Sequence, residues 1–276
     1  MYEAFYGLRE KPFSILPDPA LIYWGPNHRM AYAMLEFGVM NSAGFTVITG
    51  EIGSGKTTLV RLLLHKLDPK INVGVISNTP HGRKELLQLV MMALNQPFDD
   101  KYSNLLFKFQ KYLQTQYAER RRTLLIVDEA QNLQPDALES LRMLSNINAD
   151  KHQLLQLILV GQPQLKKLLT SPELIQFAQR ISADFHLKPL SAEEVVRYID
   201  YRLKAVGARS SLFSNEACAA IAQASSGIPR KINILCDTAL VYGFATQSNW
   251  ITKPIVDLVI ADKQNFGIFS SEPEAV

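Results

Sequence analysis

Cysteine is scarce in this 276-residue chain. Only Cys218 and Cys236 occur, both in a stretch of helical periodicity, with no CxxC spacing and no neighbouring histidine. That excludes a disulfide framework and a cysteine zinc site, and reads both residues as reduced members of a core. The five histidines, His28, His65, His81, His152 and His186, are scattered without paired ligand spacing, so none is nominated for a metal. Long hydrophobic runs are lacking too. Leu154 to Val160, with Gln156 inside it, is strand-length and far short of the ~18 residues of a membrane helix. The first residues carry Glu3, Arg9, Glu10 and Lys11 where a signal peptide needs an apolar run. A cytoplasmic protein is expected, with a peripheral position at the inner membrane through partners as the further option. Charge of one sign is in short supply, since 29 Lys and Arg face 26 Asp and Glu. The resulting +3 does not by itself imply nucleic acid. There is no internal repeat and no low-complexity block.

What is present is an ordinary globular composition, 47% hydrophobic and 20% charged, in a chain long enough for one large domain and a smaller one. Short apolar runs at Phe45–Gly50, Asn72–Asn78, Thr123–Asp128, Leu155–Gly161 and Ala183–Leu187 predict five strands. Between them Lys56–Leu67, Lys84–Leu94, Leu105–Arg120 and Asp136–Asn146 recur apolar at three- and four-residue steps. The alternation predicts an α/β fold with a parallel sheet covered by helices on both faces. From Ser191 onward only helical periodicity remains, at Ala192–Val206, Asn215–Ala224, Pro229–Phe244 and Pro254–Asp262. Ser191 followed three residues later by Glu194 signals a helix start. The expected organisation is an extended N-terminal segment packing on the core (1–27), an α/β domain (28–189), an all-helical domain (190–264) and a flexible tail (265–276).

Gly50, Glu51, Ile52, Gly53, Ser54, Gly55, Lys56, Thr57 and Thr58 follow a predicted strand and open a helical run, the context of a Walker A loop. Glycines let the backbone curl around a β-phosphate with N–H groups pointing inward. Lys56 reaches the β and γ oxygens, and the Thr57 hydroxyl holds Mg²⁺. Further on, Leu124 to Val127 ends in Asp128 and Glu129, carboxylates at the C-terminal edge of a buried strand. Asp128 is expected to bind the Mg²⁺ hydration shell and Glu129 to polarise an attacking water. Structural salt bridging is the alternative for the acids. With the Walker A loop the pattern points to ATP and Mg²⁺. No Asn-Lys-x-Asp guanine motif follows, so ATP is favoured over GTP.

Gly227, Ile228, Pro229 and Arg230 mark a turn that starts a helix. Here the chain resembles the AAA+ ATPases, whose helical lid begins a helix with Gly-x-Pro-Arg. The resemblance implies that Arg230 is a sensor 2 residue touching the γ-phosphate; capping or pairing within the lid is the bland alternative. It also implies an arginine finger at Arg180, acting on a neighbouring subunit and hence in a homo-oligomer, against an intramolecular salt bridge. Gln162, after the fourth strand, occupies the sensor 1 region, although Asn, Ser or Thr is commoner there.

Met1 to Phe13, then Pro17 to Pro19 and Asn27 to Arg29, resemble the start of ATPases of the general secretion pathway protein A type. Within that group the chain is similar to the short stand-alone version of exosortase and exopolysaccharide loci. The similarity runs to about Lys263 and includes 144–148, 159–163 and 236–240. Relatives often continue into a membrane helix and a peptidoglycan-binding domain, which this sequence does not reach, so a direct cell-wall anchoring role is not carried over from them. Tyr23 and Trp24 are placed to neighbour the adenine ring, or simply to pack. The resemblance implies ATP turnover coupled to an envelope secretion, polysaccharide or protein-sorting system. The competing expectation is a DNA-associated regulator akin to transposition ATPases. It needs a basic surface that +3 does not promise, and Arg120, Arg121 and Arg122 suit a helix C-terminus without it.

Overall fold

The structure is a computed structural model and describes residues 1–16, 18–77, 82–98, 101–149 and 152–266. Outside the described residues lie Pro17 of the N-terminal motif, Asn78 at the predicted end of the second strand, His81, and positions 267–276 of the expected tail.

The chain opens with α1 (Tyr2–Phe5) and α2 (Pro26–Met40), then β1 (Phe45–Gly50), α3 (Lys56–Lys66) and β2 (Ile71–Ile76). Next come α4 (Arg83–Ala93), α5 (Tyr102–Ala118), β3 (Arg122–Val127) and α6 (Pro135–Ser145). A minimal hairpin, β4 (Asn148–Ala149) and β5 (His152–Gln153), precedes β6 (Leu155–Gly161), α7 (Pro163–Leu169), α8 (Ile175–Ala178) and β7 (Ile181–Leu187). The helical remainder is α9 (Ala192–Ala205), α10 (Asn215–Ser225), α11 (Pro229–Ala245) and α12 (Lys253–Phe266).

The chain divides into two compact units. One comprises Pro26–Glu51 and Leu59–Leu187 and holds the sheet. Its five strands run in the order β2-β3-β6-β1-β7, and every pairing is parallel. Alternation along each strand sends successive side chains to opposite faces. Phe45, Val47, Leu125, Val127, Leu155, Leu157 and Leu159 join a core with α4, α5, α6 and α7. The other face carries α2, packed on β1 and β7. Lys66, at the end of α3, lies 5.1 Å above the Tyr32 ring of α2, so α3 shares that side. Because both faces are covered, the strands read as continuous apolar runs, and β1, β3 and β6 are buried almost throughout.

The second unit comprises Met1–Gly25, Ile52–Thr58 and the described residues from Lys188 onward. A capping box starts α9: Glu194 N–H donates to Ser191 Oγ at 3.2 Å, and Ser191 N–H donates to Glu194 Oε2 at 2.9 Å. The N-terminal segment belongs to this unit, which corrects the expectation of an extended segment on the sheet domain. Tyr2, Leu8, Phe13 and Leu21 are buried in one core with Val195, Ile199, Leu203 and Ile232. The segment is not uniformly extended either, since α1 and a 3-10 turn at Pro19–Leu21 lie within it.

The physical reason is a buried polar anchor. Arg202, only 7% exposed, donates through Nε to Pro12 O at 2.6 Å and through Nη2 to Ser14 O at 3.4 Å. Its Nη1 reaches Leu21 O at 3.4 Å. Asn233 Nδ2 donates to Ser14 O at 3.0 Å while its Oδ1 accepts from Tyr198 Oη at 2.7 Å. A segment rich in aromatics and prolines makes few backbone bonds of its own, and here Arg202 and Asn233 satisfy its carbonyls. Both cysteines are buried in the same core.

Candidate active site

The parallel strands present one common C-terminal edge. Val127, Leu159 and Val47 stand side by side in register across β3, β6 and β1. One residue beyond that row is Asp128, two beyond is Glu129, and three beyond are Gln162 and Gly50. The segments carrying chemistry therefore leave the sheet on the edge where open α/β sheets bind ligands. Observed strand limits match the expected ones within two residues, with β3 closing at Val127 so that Asp128 opens the following loop. Asp128 N–H donates to Ile76 O at 2.8 Å, which continues the ladder for one more bond.

Glu129 adopts a left-handed backbone, φ 53° and ψ 37°, uncommon for a residue with a side chain. Its N–H donates to Asp128 Oδ1 at 2.9 Å. Its Oε2 accepts Gln131 Nε2 at 2.7 Å and Gln162 Nε2 at 3.1 Å. Gln131 Oε1 in turn accepts the Gln162 N–H at 2.9 Å. The structure thus brings the expected Glu129 and Gln162 together, both directly and through Gln131, a residue that sequence reasoning missed. The signal was slight: a neutral amide two positions after the paired acids.

The glycine loop leaves β1 at Gly50, turns with φ 80° at Gly53 and 103° at Gly55, and feeds α3 at Lys56. The two positive angles are conformations that L side chains rarely adopt. Lys56 and Ser54 are buried, Gly55, Thr57 and Thr58 half-buried, and Glu51 and Ile52 exposed. The loop from Ile52 to Thr58 lies in the helical unit, where Arg230 meets it. Arg230 N–H donates to Gly53 O at 3.1 Å, and a Cβ built on Gly53 would fall 2.4 Å from the Arg230 Cβ. Pro229 takes the first position of α11, where its missing N–H costs nothing, and Arg230 follows in the first turn.

Tyr23 packs edge-on against Tyr198 and Tyr201 of α9, each at 5.8 Å between ring centroids. Arg180 sits between α8 and β7 and donates to the Asn146 amide oxygen at the end of α6. That is a hydrogen bond within the sheet unit rather than the salt bridge weighed for it.

Among the described residues no group of three His, Cys, Asp or Glu gathers into a metal cage. Oxygen donors of the kind Mg²⁺ takes beside water and phosphate are present in each unit, the Thr57 hydroxyl in the helical one and the Asp128 carboxylate in the sheet one. No helix among the described residues is long and apolar enough to cross a membrane.

Residues 39–169 match the AAA domain family. Over 260 residues, 94% of its length, the chain is 40% identical to general secretion pathway protein A of Aeromonas hydrophila. It spans 48% of that relative. Among solved structures it is similar to the ORC2 protein of Aeropyrum pernix, with 16% identity over 88% of this chain and 71% of that one and a TM-score of 0.62. Cdc6p of Pyrobaculum aerophilum gives 17% identity over 84% and 65%, with a TM-score of 0.65. RuvB of Thermotoga maritima gives 18% over 90% and 73%, with a TM-score of 0.55. At such identities the likeness concerns the fold alone.

Proposed function

We propose that this chain, whose residues 39–169 match the AAA domain family and which is similar to general secretion pathway protein A, binds ATP with Mg²⁺ and hydrolyses it. The observation that carries this reading is the edge where Glu129, held by two amide donors, follows β3, and where the glycine loop follows β1 of the same sheet.

In this reading the N–H groups from Gly50 to Thr58 and the N-terminus of α3 cradle the phosphates, and Lys56 neutralises the β and γ oxygens. Mg²⁺, when bound through Thr57 and Asp128, supplies Lewis-acid charge on the phosphate oxygens. Glu129 accepts a proton from the attacking water as the water oxygen bonds to the γ-phosphorus and the bridging oxygen leaves with ADP. Arg230 and Gln162 report on the γ-phosphate, and Tyr23 borders the adenine. Arg180 reaches the nucleotide of a neighbouring copy, so that turnover requires a homo-oligomer.

The relative's name supports a role of ATP turnover in a secretion pathway; the N-terminal resemblance extends the reading to assembly or regulation of an envelope secretion or polysaccharide-export system, with the protein at the cytoplasmic side of the inner membrane through partners.

The test is specific activity across protein concentrations, with duplex DNA as a contrast, together with a mixing experiment. Activity that rises with concentration and ignores DNA supports an oligomeric secretion-type ATPase. Arg180→Ala mixed with Lys56→Ala should recover part of the activity that each has lost, because shared interfaces pair an intact finger with an intact loop. No rescue at any ratio, with assembly verified, removes Arg180 from the role. Strong stimulation by DNA moves the DNA-associated reading ahead of the secretion one.

A further inference from the structure

We infer that Gln131 is a positioning residue for hydrolysis: its carboxamide holds the Glu129 carboxylate on one side and the Gln162 backbone on the other. The inference rests on the reading of Glu129 as the group that activates water. Three bonds link the three residues. Gln131 Nε2 donates to Glu129 Oε2 at 2.7 Å, Gln162 Nε2 donates to the same oxygen at 3.1 Å, and Gln131 Oε1 accepts from Gln162 N at 2.9 Å.

The chemistry of the partners selects the side chain. An ionised carboxylate only accepts and a backbone N–H only donates, so the group between them must do both. A carboxamide does, which also fixes the orientation of the Gln131 amide without ambiguity. Glutamate keeps the acceptor toward Gln162 but sets a second carboxylate against Glu129. Methionine keeps the length and loses both bonds.

The amide oxygen lies against the backbone of β6 and α7. Gly161, the last residue of β6, has no side chain, and the space a Cβ would take there is filled by Leu165 Cδ2, 2.8 Å away, and by Gln131 Oε1, 2.9 Å away. Gln162 caps the N-terminus of α7 through its backbone, and the Gln131 bond ties down that cap.

Both amide donors take Oε2 and so pin one oxygen of a residue whose own backbone is left-handed. Oε1 then carries the proton-accepting role. A shift of the carboxylate by about 1 Å is enough to cost up to ~100-fold in rate. The turn that begins α7 thus reaches the water-activating carboxylate by two routes, directly through the Gln162 carboxamide and through Gln131.

Steady-state ATP turnover, ATP affinity and thermal midpoint are to be measured for wild type, Gln131→Met, Gln131→Glu and Glu129→Gln. Both Gln131 variants should lose roughly tenfold or more in kcat, with KM and ATP affinity within about twofold and an unchanged midpoint. Gln131→Glu should be the poorer of the two. If Gln131→Met turns over within about twofold of wild type, or if its loss in kcat is matched by equal losses in affinity and midpoint, the positioning role is overturned. Wild type inactive, or Glu129→Gln fully active, contradicts instead the reading on which the role rests and takes the role with it. Wild type active with Glu129→Gln silent and Gln131→Met normal contradicts the positioning role alone.

Discussion

Arg230 and Gly53 are locked together by backbone: the arginine N–H donates to the glycine carbonyl at 3.1 Å, and their α-carbons approach so closely that a methyl on Gly53 would fall 2.4 Å from the Arg230 Cβ. The glycine loop and the first turn of α11 are therefore a single packed element of the helical unit. Gly53→Ala must both strain a residue at φ 80° and push α11 away. Roughly 1–3 kcal/mol of stability should be lost. ATP affinity should fall as well, and calorimetric unfolding with and without nucleotide measures both.

Because that contact uses the main chain, the Arg230 side chain can be removed without breaking it. Arg230→Ala should keep the wild-type midpoint and lower kcat by about tenfold or more, as expected for a cation acting on transition-state charge. A lower midpoint with unchanged kcat would make Arg230 a structural residue.

Arg202 fastens the N-terminal segment. Replacing it by methionine leaves the Pro12 and Ser14 carbonyls without that donor in a buried setting. A loss of roughly 2–4 kcal/mol is expected, read from urea unfolding, with the segment up to residue 25 becoming the first site of limited proteolysis.

The two cysteines titrate out of reach. Burial pushes the Cys218 thiol up to about 12 and also raises Cys236. A group that is acidic only when exposed favours the folded state below its ordinary range, about 8.5. That contribution shrinks as pH climbs from there toward the folded value. Native protein at pH 8 should leave both thiols unreactive toward an aromatic disulfide reagent, and unfolded protein should react twice per chain. Stability should decline above pH 9.

Much of this was legible in the residues. The strands were visible because a doubly covered parallel sheet makes each one a continuous apolar run, as in Leu124 to Val127. The Ser191 cap was visible because its partner, Glu194, lies three residues away. The docking of the N-terminus was not, since its anchor is a charged residue, Arg202, some 190 positions from Pro12 and on a helix that reads as amphipathic. Gln131 was hidden for a related reason. A neutral amide beside two acids has no pattern of its own, and its meaning comes from Gln162, 31 residues on. The pairing of β4 with β5 involves only two residues per strand, too short for any periodicity.

ATP hydrolysis with Glu129 activating the water is tested by comparing phosphate release by wild type and Glu129→Gln with Mg²⁺ present and with it chelated. Turnover should disappear on chelation, and Glu129→Gln should bind ATP as tightly as wild type while releasing phosphate at least about 100-fold more slowly. Undiminished phosphate release by Glu129→Gln would contradict it.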